Sequence, residues 1–203
     1  MRDEEVRART VTMGLSLGDE TWGKISELRS LWQFYGRSMN LTARLDEHAL
    51  NTHIVESLQA VALASRLAGF EHWLDIGSGA GFPGLVIAAC MGVRVTCVEP
   101  RAKRASFLEI ALRKLGRADC RVARGRIESG HWVGIEGSAS PELGDVASAR
   151  AVFEPRRWME EARPWVRPGG VIVVHMSVVD PDLEAELVGR VDGERWSIRG
   201  YRV

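Results

Sequence analysis

Three features of this 203-residue chain predict an α/β fold, a doubly wound Rossmann-like sheet beneath an N-terminal helical cap. Two amphipathic helical stretches come before any strand. From residue 72 onward, short β-branched runs alternate with helical periodicity, which is the pattern of a parallel sheet wrapped by helices on both faces. The first strand-like run ends in a glycine-dense turn, Gly77-Ser78-Gly79-Ala80-Gly81-Phe82-Pro83-Gly84, at the strand end where such sheets bind ligands.

Residues 1 to about 16 are mixed in charge and without a period, which predicts a frayed arm. From Asp19, the residues Trp22, Ile25, Leu28, Leu31, Trp32 and Tyr35 recur at steps of three and four, so a helix runs to Gly36. After the link Met39-Asn40-Leu41-Thr42-Ala43, Asp46 caps a second amphipathic helix carrying Leu50, Ile54, Leu58 and Val61. Residues 1–68 thus form an arm and cap, and residues 69–203 the core. Strands are expected near 72–76, 94–99, 119–123, 145–149 and 170–175, with a helix opening at Phe82 after the first. Ser129–Gly144, rich in Gly, Ser and Pro, reads as a long loop. Asp182–Val191 reads as a helix and Arg195–Val203 as one more strand.

With 45% hydrophobic and 27% charged residues, the chain suits one core with a decorated end. No run approaches the roughly 20 apolar residues of a membrane span, and the first residues lack the apolar centre of a signal peptide. A cytoplasmic location is expected. Cys90, Cys97 and Cys120 lie in apolar contexts without Cys-x-x-Cys spacing, and the five histidines lack zinc-like spacing, so neither disulfide nor metal is expected.

The glycine turn follows an acid: Asp75-Ile76-Gly77-Ser78-Gly79-Ala80-Gly81 has the Asp-x-Gly-x-Gly-x-Gly shape of S-adenosylmethionine sites. Glycine lets the turn bend and a ligand approach the backbone, and the carboxylate reaches the amine-bearing end of the cofactor. Gly79–Gly84 also matches Gly-x-Gly-x-x-Gly, so a dinucleotide stays an alternative. Pro83 removes an N–H donor that a pyrophosphate would need. One βαβ unit later, Glu99 ends the strand Arg94-Val95-Thr96-Cys97-Val98, where an acid can take both hydroxyls of a ribose. Both acids together favour adenosylmethionine.

Six ordered motifs make the chain resemble the glucose-inhibited division protein B family, the small-subunit (16S) ribosomal RNA guanine-N7 methyltransferases. Asn40-Leu41-Thr42 is similar to the family's Asn-Leu-Thr link, and His53-Ile54-Val55-Glu56-Ser57-Leu58 to its His-x-x-Asp-Ser-Leu helix, with Glu56 in place of Asp. Leu74–Gly84 carries the loop with its added Pro-Gly pair. Lys103-Arg104-x-x-Phe107-Leu108, Arg126-Ile127-Glu128 and Arg150-Ala151 match three later motifs. The resemblance implies an S-adenosylmethionine-dependent methyltransferase. Gly77, Phe82, Ile127, Glu128 and Arg150 would line the cofactor pocket, beside Asp75, Ser78, Gly79, Gly81 and Glu99 of the turn and second strand. Arg150, His53 and Asn40 would position the acceptor. Two stretches depart from the family. Phe34-Tyr35 stands where a Trp-Asn pair is usual, and His175-Met176-Ser177 replaces Leu-Lys-Gly, so a cation is missing at that strand end. The family's sheet also closes with an antiparallel hairpin. Here a partner for the last strand is not legible, so that strand is absent or the sequence truncated.

Net charge is formally zero. Yet Arg101–Arg126 holds nine basic residues against Glu109 and Asp119, an excess that favours a phosphate backbone, here ribosomal RNA or the small subunit. Guanine N7 has a free lone pair at neutral pH, so no general base is expected. The alternatives are a small-molecule methyltransferase on the same fold, a non-catalytic nucleotide- or adenosylmethionine-binding module, and a dehydrogenase.

Overall fold

The computed structural model describes residues 1–41, 44 and 46–203. Three helices come first: α1 (Asp3–Thr12), α2 (Asp19–Tyr35) and α3 (Glu47–Ala64). There follow β1 (His72–Ile76), α4 (Gly84–Cys90), β2 (Arg94–Val98), α5 (Ala102–Lys114) and β3 (Arg121–Ala123). A small hairpin, β4 (Gly125–Glu128) and β5 (His131–Gly134), leads to β6 (Gly144–Ala149) and α6 (Pro155–Ala162). The chain ends with β7 (Val166–Ser177), β8 (Leu187–Asp192) and β9 (Trp196–Arg202). Seven strands form one sheet in the order β3-β2-β1-β6-β7-β9-β8. The first five are parallel, and β9 runs antiparallel to both β7 and β8. This is the doubly wound α/β architecture expected.

The strand order reverses between β1 and β6, so the crevice at the carboxyl ends of β1, β2 and β6 is where a ligand fits. One face of the sheet is covered by α1–α5, through Trp32, Leu50, Ile54, Leu58, Phe107 and the inward residues of the strands. The other carries α6, the hairpin, a short turn and the segment around Leu183 and Ala185, with Trp158 and Trp165 in one cluster with Leu74 and Ile172. Asp46 caps α3 as expected, Oδ1 accepting from Ala49 N at 3.0 Å.

Five local expectations are corrected. Residues 3–12 form a helix rather than a frayed arm. Only Val6 and Thr10 are buried, which leaves no visible period. The docking is polar and distant, with Arg29 on Asp3 and the Asn51 amide donating to Met1 O. Within 129–144, β5 pairs with β4. Asp182–Val191 is no helix: its second half is β8, where Gly189 lies against Leu63 too closely for a Cβ (2.6 Å), and cross-strand pairing with β9 overrides local preference. The closing hairpin is therefore present. The helix after the glycine turn starts at Gly84 rather than Phe82, because Phe82 and Pro83 belong to the loop. Arg199 is fully buried on β9 and holds residues 177–182 through the carbonyls of Ser177, Asp180 and Pro181, in place of a covering helix. Thr42 of the Asn-Leu-Thr link lies outside the described residues.

Candidate active site

The glycine turn is shaped from both sides. Gly77 and Gly79 have φ of +69° and +57°, and a Cβ on Gly77 would meet Val152 at 2.5 Å. Trp32 of α2 donates its indole N–H to Ala80 O at 2.7 Å and stacks on Phe82 at 4.3 Å between ring centroids. The cap thus holds the turn in place. Beside the turn lies a cavity of about 740 Å³ at the carboxyl edge of the sheet.

The two acids divide their work. Glu99 lines the cavity, with Oε2 accepting from Gly79 N and Oε1 from Arg101 N, both at 2.9 Å. Each oxygen keeps a further lone pair for a ribose hydroxyl. Asp75 does not face the cavity and is 1% exposed. Its Oδ2 accepts from Gly84 N at 3.2 Å and its Oδ1 from the Ser148 hydroxyl at 2.8 Å, while Trp73 donates to that same hydroxyl. Burial pushes the Asp75 carboxyl above its usual value, with the hydrogen bonds and the Arg150 charge opposing this. In this structure the carboxylate is a buried anchor for the loop and α4, set behind the cavity wall. A Cβ on Gly84 would come within 2.6 Å of this carboxylate.

The cavity's far wall is a polar cluster. Arg150, at the end of β6, donates from Nη1 to Glu56 Oε2 at 2.8 Å and from Nη2 to His53 Nδ1 at 2.9 Å. Its guanidinium lies 5.4 Å from the Phe82 ring centre, and the His53 ring 5.1 Å from it. Burial lowers the Arg150 pKa, and the charges of Glu56 and Asp75 pull it back up. On β7 nearby, burial first and the Arg150 charge second push His175 down to about 3, and its Nε2 has no hydrogen-bond partner among the described residues.

Of the sequence-derived set, Gly77, Ser78, Gly79, Phe82, Glu99, Ile127, Glu128, His53 and Arg150 line this one cavity. Gly81 lies behind it, packed on Leu85 and Leu108. Asn40 is exposed in the left-handed region (φ +51°), and its carbonyl accepts from Arg104 at 2.9 and 3.1 Å, so its backbone rather than its amide faces α5. Val152, Phe153 and Arg157 line the cavity outside the expected set, and Glu56 and Arg104, which stood in family motifs without an assigned role, join the site through Arg150 and the cavity wall. The Lys-Arg-x-x-Phe-Leu motif pointed to Arg104. Nothing local marks Arg157, which α6 brings in from another part of the chain.

The basic segment Arg101–Arg126 does not act as one surface. Arg117 is half-buried against the carbonyls of Ala88, Met91 and Val93 and pairs with Asp119. Arg121, Arg124 and Arg126 pair with Glu142, Glu136 and Glu128. Folding brings in acids that a count along the sequence leaves out. Arg101, Arg104 and Arg126 line the cavity with Arg157, whereas Arg113 and Lys114 lie at the opposite end of α5, roughly 20 Å away at 1.5 Å per residue.

The sequence profile of the family described as rRNA small subunit methyltransferase G matches residues 23–181. A relative named Ribosomal RNA small subunit methyltransferase G from Rhizobium meliloti (strain 1021) is 37% identical over 164 residues, covering 77% of this chain and 71% of the relative. Its namesake from Clostridium beijerinckii is 30% identical over 183 residues, covering 87% and 71%. Among solved structures, an O-methyltransferase from Bacillus cereus in complex with SAH superposes with a TM-score of 0.56. It is 18% identical and the match covers 88% of this chain and 91% of that one, a likeness of fold.

Proposed function

The chain belongs to the rRNA small subunit methyltransferase G family, and from that premise we propose that it methylates N7 of a guanine in small-subunit ribosomal RNA. It is an S-adenosylmethionine-dependent methyltransferase with a ribosomal RNA substrate. Glu99 is suited to the ribose hydroxyls, Gly77 and Gly79 to a close backbone approach, Ile127 and Phe153 to the adenine faces, and Arg150 to the methionine carboxylate or the guanine. When bound, the cofactor supplies an already activated methyl group. The protein's own part is orientation: an acceptor held in line at near-attack distance needs little further assistance.

One observation carries the N7 reading. Among the described residues, the cavity's two acids are engaged, Glu99 by backbone N–H groups and Glu128 by Arg126, and its histidine accepts from Arg150. None is poised to remove a proton, and N7 has none to lose. Residues 1–68 serve in this reading as a cap that closes over the acceptor, with residues 69–203 as the transfer core, and the reaction belongs in the cytoplasm with its ribosomal substrate. The phosphate-facing surface is the rim of Arg101, Arg104 and Arg157, which narrows the segment Arg101–Arg126 and adds a residue from α6.

The test is transfer of tritiated methyl from S-adenosylmethionine to small subunits and free rRNA, followed by borohydride reduction and aniline cleavage, which cuts at N7-methylguanosine. Label on rRNA with aniline-sensitive scission is expected. Label on a position resistant to aniline, or on small metabolites alone, would overturn the reading.

A further inference from the structure

The arrangement around His53 fixes where its proton sits. A guanidinium has donors only, and Arg150 Nη2 lies 2.9 Å from His53 Nδ1. Nδ1 is therefore the acceptor. Glu56 Oε2 is 3.6 Å from the same nitrogen, beyond hydrogen-bond length, and is itself taken by Arg150 Nη1 at 2.8 Å. With Nδ1 accepting, the proton of the neutral ring is on Nε2. That nitrogen makes no hydrogen bond to the protein among the described residues, and the ring lines the cavity beside Phe82. Arg150 uses two of its five N–H groups in the cluster, and its remaining donors share the same wall.

We propose that the Glu56–Arg150–His53 chain locks His53 as a hydrogen-bond donor to the acceptor base, so that a wall of donors selects a purine with a carbonyl beside the attacked nitrogen over one with an amino group. The inference rests on the guanine-N7 reading above. On this edge guanine shows two acceptors, O6 and N7, whereas adenine sets its N7 beside the N6 amino donor. An imidazole N–H at the O6 position pairs with guanine. Against adenine it meets another N–H, and both donors are left unsatisfied in a partly dry site. Glu56 acts here as a positioning residue. Its carboxylate fills the Arg150 donors that would otherwise be free to turn away from His53.

The test uses the full-length protein carrying 15N-labelled histidine. At neutral pH, long-range 1H–15N spectra should place the His53 proton on Nε2, and Arg150→Ala should release the ring to a mixture of tautomers. A wild-type His53 protonated on Nδ1 overturns the inference whether or not the RNA reading stands. Selectivity is read by titrating GMP, IMP and AMP into protein saturated with S-adenosylhomocysteine. The two oxo-purine nucleotides should move the His53 Nε2–H resonance, with AMP about 10- to 100-fold weaker. His53→Gln, which keeps an N–H donor, should retain that ranking and His53→Phe should lose it. Equal responses to GMP and AMP, or a ranking unchanged in His53→Phe, overturn the inference. A wild-type protein that shows the tautomer and the ranking but transfers no methyl to small-subunit RNA sinks the function reading alone.

Discussion

Asp75 and Glu99 are both acids at strand ends, and the side of the chain on which each carboxylate lies separates their roles. The partners of Asp75, Gly84 N–H and the Ser148 hydroxyl, are buried with it and cannot turn to water. Removing the carboxylate should cost about 1–3 kcal/mol for each buried donor left unpaired. Asp75→Ala should accordingly lower the urea midpoint. Glu99 faces the cavity, where water can replace it for Gly79 and Arg101. Glu99→Ala should weaken S-adenosylmethionine binding by about 1–3 kcal/mol, with a smaller loss of stability than Asp75→Ala. Calorimetry and denaturation on the two variants check this. An Asp75→Ala protein with unchanged stability and no cofactor binding would make Asp75 a direct ligand after all. Asp75 was legible from the glycine motif and Glu99 from the carboxyl end of the second strand. The division of labour was not, because the Ser148 partner comes from a strand 73 residues away.

α5 shows how an element rearranges charge that a linear count treats as one patch. It turns Arg101 and Arg104 toward the cavity and carries Arg113 and Lys114 to the far end, while Arg117 just beyond it closes on three carbonyls. Replacing Arg101 and Arg157 with Ala should lower RNA affinity and flatten its salt dependence by about 0.7–0.9 per lost phosphate contact. Replacing Arg113 and Lys114 should leave the slope unchanged. Arg117→Ala should destabilise the fold rather than weaken RNA binding selectively. Filter binding across a salt series, with thermal melts, distinguishes these outcomes, and an equal slope change in both double variants would restore the segment as one surface. The same blindness to distant partners hid α1, whose hold on the cap is made by Arg29 and Asn51. It also hid β8, six residues that overlap the stretch Asp182–Val191 expected to be helical and that become a strand by pairing with β9.

Acid stability belongs to the molecule as a whole. His72 and His175 are both held below their ordinary value of 6.5, chiefly by burial, His175 down to about 3. The folded state therefore binds fewer protons than the unfolded one between about 3 and 6.5, and stability rises with pH across that window and is lost on acidification. A group of this kind contributes up to about 1.4 kcal/mol per pH unit. Asp75, raised by burial, works in the opposite direction, so the contribution of His175 is read as a difference between proteins. Unfolding free energies from pH 7 to pH 5 should fall less steeply in His175→Gln than in the wild type. Parallel curves would show that His175 accepts a proton in the folded state.

The sequence by itself determined the fold class, five parallel strands, both main cap helices, the glycine turn and nine of the cavity-lining residues. The elements and the turn rest on short-range physics, namely helical and strand periods, an N-cap at Asp46, and glycines where φ is positive, while His53, Phe82, Ile127, Glu128 and Arg150 came from the family resemblance. Tertiary structure alone decided which carboxylate faces the cavity, which arginines are left to meet a phosphate, and that Glu56, Arg150 and His53 form one chain of hydrogen bonds. Each of those depends on groups far apart in sequence meeting at a fixed distance, since burial and pairing set the direction in which a donor, an acceptor or a charge can act.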